Sequence, residues 1–154
     1  MEDYLRIFNF LWRLKRIEYV LTTTWIQQMG NKKVLFGLSE IQGDFQKANL
    51  LRHEMLLFIS NLGNYIMVEV VQGNWKIFLD EMRKARNLDE IIKIHKKMVN
   101  KILEKALLTS KNENLYKQLF ELFELILRFK HSQDVLYTSA IEEAHSRAYR
   151  GSVS

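Results

Sequence analysis

The N-terminal segment 4–19 reads YLRIFNFLWRLKRIEY and constrains the architecture of the whole chain. At helical spacing, the apolar residues of this helix fall on two flanks rather than on one face. The first flank holds Leu5, Phe8, Trp12 and Tyr19, and the second holds Ile7, Leu11, Leu14, Leu21 and Trp25. A helix with two apolar flanks must be covered from two sides, so the pattern predicts a central helix of a bundle.

A narrow polar strip remains on this helix, and Lys15 and Glu18 lie outside it on the apolar flanks. The strip consists of Arg6, Asn9, Arg13 and Arg16. Because these residues leave the core-facing flanks and carry three positive charges, we expect them to bind a protein partner. An alternative remains open, in which the same residues pair with acids such as Glu69 inside the bundle.

The composition favours an all-α fold. Among the 154 residues, 47% are hydrophobic and 27% are charged, values that suit a globular domain with its own core. Proline is absent, although average usage of about 5% would supply several. Since proline interrupts helices and is tolerated in loops, its absence predicts long helices with few connections.

The sequence predicts a bundle of about four long helices plus one short helix. The first ends near Gln28, and the second begins at Asp44 as its N-cap. Gly73-Asn74 marks a break before the short helix 75–86, and Asn87 caps the next helix. We expect 1–148 to form a single helical domain and 149–154 a flexible tail.

The apolar positions suggest which aromatic residues form the core. We expect Phe8, Trp12, Trp25 and Phe58 to be buried. The run 65–71, rich in β-branched residues, continues a helical pattern and is predicted to be helix rather than strand. Its single charge, Glu69, then needs a buried partner such as Lys15, unless this end of the helix is exposed.

Several classes of chemistry find no support in the sequence. Cysteine is absent, so thiol catalysis, thiolate metal sites and disulfides are excluded, which fits an intracellular protein. The sequence has one Glu-x-x-His pair, Glu142 and His145, whereas a carboxylate di-metal site needs two such pairs. No nucleotide-binding or catalytic motif is present, so we expect no cofactor, no metal and no enzyme. His95, on an apolar face, is expected to be a hydrogen-bonded core histidine.

Membrane and nucleic-acid partners are also not expected. No signal peptide is visible, and the longest uncharged run, 55–68, is too short and polar to span a bilayer. The aromatic residues lie on apolar faces at helical spacing, which is typical of core rather than of base-stacking platforms. The net charge of +5 is mild and interleaved with acids, but suits an acidic partner.

The segment 4–21 closely resembles a motif of the gamma-tubulin complex proteins, most similar to their third component and its fungal counterparts. The resemblance continues through several shorter matches, namely His53-Glu54-Met55, Phe58-Ile59, Tyr65-Ile66, Glu69-Val70, Trp75, 88–92 followed by His95, Leu107-Leu108, 133–137 and Ile141-Glu142-Glu143. It implies a helical bundle from the carboxy-terminal domain that binds gamma-tubulin, in a non-enzymatic scaffold that supports microtubule nucleation. Expected partners are gamma-tubulin and other components of the complex, in the cytoplasm and cytoskeleton at microtubule-organising centres.

The resemblance leaves two alternatives open. Members of that family are several times longer, so we expect a fragment or a reduced homologue that holds part of the gamma-tubulin surface. The basic strip could then bind the amino-terminal part of such a protein instead of gamma-tubulin. A generic helical-bundle adaptor for another protein partner is the second reading of the function.

Overall fold

A computed structural model describes residues 2–30 and 38–152, and this part of the chain is helical almost throughout. The α-helices are α1 (Glu2–Gly30), α2 (Gln42–Asn64), α3 (Gly73–Met82), α4 (Leu88–Lys105) and α5 (Glu113–Ser152). A π-helical segment, Tyr65–Gln72, joins α2 to α3, and the short 3₁₀ turns Ser39–Ile41 and Ser110–Asn112 precede α2 and α5. The predicted all-α fold is confirmed.

The predicted number of helices is wrong, because the chain does not break at Gly73-Asn74. The structure has three long helical stretches, namely α1, the continuous run from α2 through α3, and α5, together with the 18-residue α4. Gly73 keeps helical backbone angles, with φ −60° and ψ −44°. The buried Asn74 side chain donates a hydrogen bond of 2.5 Å to the carbonyl oxygen of Val70. Gly73 and Asn74 therefore both lie within a continuous helix. Glycine permits a helix end but does not enforce one.

The helices belong to two compact units. The first comprises Met1–Arg16 and Ile59–Leu122, and the second comprises Ile17–Phe58 and Phe123–Ser154. The buried apolar residues of the first unit include Phe10, Leu14, Ile59, Ile66, Val70, Met98, Val99, Ile102, Leu103, Ala106 and Leu108. Those of the second include Ile17, Leu21, Leu38, Phe123, Ile126 and Ala140. A single domain over 1–148 and a flexible tail over 149–154 stay predictions; α5 itself extends to Ser152.

Burial along α1 overturns the prediction that both of its apolar flanks are covered. The buried positions follow one stripe, which consists of Phe10, Leu14, Ile17, Leu21 and Thr24. Phe8 is 62% exposed and Trp12 is 53% exposed, so neither is a core residue. Spacings of three and four identify apolar stripes, but only one stripe of this helix packs against the described neighbours. The side chain of Trp25 lies outside the described residues.

The run from α2 through α3 has one buried stripe. Positions 45, 48, 52, 55, 59, 62, 66 and 70 are all buried or half-buried. On the other side Phe58 is 45% exposed, which contradicts its core assignment. Glu69 is exposed and needs no buried partner. Asp44 lies in the first turn of α2, two residues after its start at Gln42, and does not cap it.

Within the described chain, one helical stretch, Ser39–Met82, is long and apolar enough to cross a membrane by length and composition alone. The uncharged run 55–68 is only part of this stretch. Ile59 and Ile66 are buried in the first unit, but only 22% of the apolar 18-residue window of this stretch is buried. The absence of a membrane partner therefore stays a prediction.

Candidate protein-binding site

The first unit contains an open groove of about 590 Å³. Its α1 wall is formed by Arg6, Asn9 and Arg13, which are three of the four residues of the predicted strip. Its opposite wall is the first turns of α5, with Glu113, Tyr116 and Lys117, and its base is the turn 107–110 that joins α4 to α5. The structure therefore places most of the predicted site residues along one concave surface.

The base of the groove is shaped by the carboxyl end of α4. The N–H of Leu108 donates to the carbonyl of Leu103 at 2.8 Å, and the N–H of Leu107 donates to that of Glu104 at 3.2 Å. This pair of bonds defines a Schellman motif, which ends a helix through one residue in the left-handed conformation. Leu107 takes that position with φ 62°, where glycine is usual. Leu108 follows it into the core, so the turn is fixed by burial on one side and hydrogen bonds on the other.

Arg6 connects α1 to this turn. Its Nη2 donates a hydrogen bond to the backbone carbonyl of Leu108, a contact between residues 102 apart in sequence. A carbonyl that follows the end of a helix accepts no hydrogen bond from that helix, so a guanidinium is a suitable donor for it. Arg6 is thus engaged in holding the groove together as well as lining it.

Arg13 lies over an aromatic ring on α5. Its guanidinium carbon is 4.6 Å from the ring centre of Phe120, a cation–π geometry, and the ring of Phe120 contacts that of Tyr116 with centres 4.4 Å apart. A guanidinium over a ring face can still donate hydrogen bonds from its N–H groups. Arg13 is therefore an exposed cation that is held against the α5 wall by a ring contact.

The α5 wall carries one ion pair. Lys117 Nζ lies 2.7 Å from Glu113 Oε1, one helical turn away, and both side chains are well exposed. The hydrogen bond from Lys117 lowers the pKa of Glu113, and the same bond raises the pKa of Lys117. Because Arg6, Arg13 and Lys117 face a single lining carboxylate, the groove has an excess of positive charge.

Arg16, the fourth residue of the predicted strip, does not line the groove. Its guanidinium carbon is 5.5 Å from the ring centre of Trp12, on the exposed apolar flank of α1. Among residues 2–30 and 38–152, no ion pair involves Arg6, Arg13 or Arg16. The alternative in which the strip is neutralised by acids such as Glu69 inside the bundle finds no support in this part of the chain.

Sequence reasoning missed the α5 half of the groove. Tyr116 and Lys117 lie about a hundred residues from Arg13, and no local pattern places them opposite it. The one usable signal was the spacing of Glu113 and Lys117, which predicts an ion pair at i and i+4 but not its location. Leu107 gave no signal at all, since leucine is not expected in the left-handed conformation.

His95 and the Glu142–His145 pair are not among the residues that line the groove. His95 is half-buried, accepts or shares a hydrogen bond with the Tyr4 hydroxyl, and contacts the rings of Tyr4 and Phe78. It is thus hydrogen-bonded, as expected, but it is half-buried rather than a core residue. The described residues include no cluster of three His, Asp or Glu side chains that could hold a metal ion around Glu142 and His145 or elsewhere.

The first unit is thus a helical unit with a positively charged surface groove. The family model described as gamma tubulin complex component C-terminal matches residues 1–153. The chain belongs to the gamma-tubulin complex component family. This family is one of structural components of a complex, and the resemblance of segment 4–21 is thereby confirmed.

Individual relatives agree with this assignment. The chain is 40% identical over 147 residues to gamma-tubulin complex component 3 homolog of Xenopus laevis, covering 96% of this chain and 16% of that protein. It is 37% identical to gamma-tubulin complex component 3 of Homo sapiens, with the same coverage of both chains. It is 35% identical over 141 residues to spindle pole body component 98 of Dictyostelium discoideum, covering 90% of this chain and 17% of the relative. The chain spans about one sixth of these relatives.

Proposed function

We propose that this chain is a non-enzymatic scaffold segment that binds gamma-tubulin through α1, within the gamma-tubulin complex. Arg6, Asn9 and Arg13 would contact gamma-tubulin from the groove wall, and Arg16 from the adjoining exposed face. In the cell the chain would act with other components of the complex at microtubule-organising centres, in the cytoplasm and cytoskeleton, to support microtubule nucleation. The names of its relatives, which include gamma-tubulin complex and spindle pole body components, support this role.

One observation carries the choice of surface. Arg13 lies over the ring of Phe120 beside a 590 Å³ groove, and no ion pair in the described chain neutralises it. Several other described cations lie in ion pairs, as Lys97 does with Glu81 at 2.5 Å. An arginine that is already held against a ring loses less conformational entropy on binding than a fully solvated one, which makes it a good interface residue.

The test is capture of purified gamma-tubulin by the full 154-residue chain immobilised on beads. The altered protein carries Arg13→Gln and Arg16→Gln, which remove two charges and leave side chains of similar length. The matched control carries Lys93→Gln and Lys96→Gln, which remove the same charge from exposed positions of α4. Circular dichroism and thermal melting establish that all three proteins are equally folded.

We expect the wild-type and the lysine control to capture gamma-tubulin and the arginine variant to lose most of it. Equal capture of gamma-tubulin by all three proteins would show that the interface lies outside the strip. Equal losses in both variants would mean that net charge alone drives the association. No capture by the folded wild-type chain would reject the proposed function for this segment and favour a helical adaptor for another partner.

A further inference from the structure

We infer that the groove between α1 and the start of α5 accepts a carboxylate-bearing segment of the bound protein, with Arg13 and Lys117 as its contact cations. The inference rests on the proposed function and specifies which chemistry of the partner enters the site. It adds the α5 wall, which no family resemblance or sequence pattern indicated, to the strip on α1.

The charges around the groove favour an acidic ligand. Three cations and the amide of Asn9 line it against one carboxylate, Glu113. The α5 wall is also the amino end of a 40-residue helix, whose dipole favours negative charge. Both walls therefore present donors, and an acceptor-rich segment such as a run of Asp or Glu matches them.

The cations differ in how much of their bonding capacity remains. Arg6 donates one N–H to the Leu108 carbonyl and so helps to position the base of the groove. Arg13 uses its ring-facing plane on Phe120 and keeps its N–H edges for a ligand. Lys117 is held by Glu113 at 2.7 Å, so Glu113 occupies the place that a ligand carboxylate would take on this wall.

This arrangement makes Glu113 an internal competitor of the ligand. Its removal would release Lys117 and add one unit of positive charge to the groove. Both side chains of this pair are well exposed, so solvent screening keeps its effect on affinity small. Glu113→Gln is thus expected to tighten binding about two- to fivefold, whereas a groove with no acidic ligand would be indifferent to the change.

The experiment measures binding of a fluorescein-labelled hexaglutamate peptide to the full chain by fluorescence anisotropy, with a hexaglutamine peptide for comparison. We expect hexaglutamate alone to bind, and Arg13→Gln and Lys117→Gln each to weaken it about tenfold, the usual effect of losing one charged hydrogen bond. Glu113→Gln should strengthen it. Lys93→Gln, which removes one charge from the exposed face of α4, should change it less than twofold.

Two results would overturn the inference. The first is binding of hexaglutamate no tighter than that of hexaglutamine. The second is a loss of hexaglutamate affinity on Lys93→Gln as large as that on Arg13→Gln, which would show attraction to net charge alone. A competition assay separates this failure from that of the proposed function. If gamma-tubulin is captured and excess hexaglutamate does not displace it, the proposed function stands and the acidic-segment inference falls; displacement supports both.

Discussion

Leu107 lies in the left-handed region at the base of the groove, and its backbone strain can be measured. Its φ of 62° brings Cβ close to the following carbonyl, at a cost of about 1 kcal/mol that glycine does not bear. Leu107→Gly removes both the strain and the half-buried side chain, whereas Leu107→Ala removes only the side chain. The difference between these two variants therefore isolates the backbone term.

We expect Leu107→Gly to be more stable than Leu107→Ala by about 1 kcal/mol, or about 2–4 °C in melting temperature for a chain of this size. Urea unfolding followed by far-ultraviolet circular dichroism measures the difference. The control is the same pair of substitutions at Asn100, an exposed position inside α4, where alanine should be the more stable by a similar amount. Equal stability of the two Leu107 variants, or greater stability of alanine, would refute the strained turn.

Three further predictions follow from the burial and hydrogen bonds described above. Phe10→Ala should cost about 3–5 kcal/mol because Phe10 is 1% exposed, whereas Trp12→Ala should cost less than about 1.5 kcal/mol; both are read from urea unfolding. Asn87→Ala should cost about 0.5–2 kcal/mol, since the Asn87 side chain accepts the Glu90 N–H at 2.9 Å and caps α4; thermal melting measures it. Arg147 lowers the pKa of Glu143 below its ordinary 4.5, so this stabilisation exists above that value and is lost as pH falls through the lowered pKa. Arg147→Gln should therefore reduce the fall in melting temperature between about pH 5 and pH 3.

Secondary structure was largely predictable, because it depends on local spacing and on the absence of proline. The cap at Asn87 shows this well: its Oδ1 accepts from Glu90, and Glu90 in turn accepts from the Arg86 N–H at 2.8 Å. Such a reciprocal cap involves only a few adjacent residues and can be recognised in a sequence. The continuous helix at Gly73 was missed, because a glycine-asparagine pair fits a helix end and a helix interior alike.

Burial was predicted less well, because it depends on which neighbours cover a helix. Phe8 and Trp12 share apolar helical spacing with Phe10 and Leu14, yet only the latter pair is buried. Periodicity identifies the apolar stripes on a helix, but it does not predict how many neighbouring helices pack against them.

The α1 half of the candidate site followed from the sequence, and the α5 half did not. Arg6 and Arg13 stood out as polar positions on an otherwise apolar helix. Tyr116 and Lys117 join them through tertiary structure, since the turn at Leu107 and the start of α5 line the same groove as α1. That turn uses a residue type that its conformation disfavours, so no turn-propensity rule identifies it.

The most direct test of the central claim is site-specific photo-crosslinking from the groove to purified gamma-tubulin. A photo-crosslinking amino acid replaces Asn9, which lines the groove between Arg6 and Arg13, or Asn100, an exposed position on α4, as the control. We predict a covalent adduct with gamma-tubulin from position 9 and little or none from position 100. An adduct from position 100 alone, or equal adducts from both, would contradict the assignment of this groove as the binding surface.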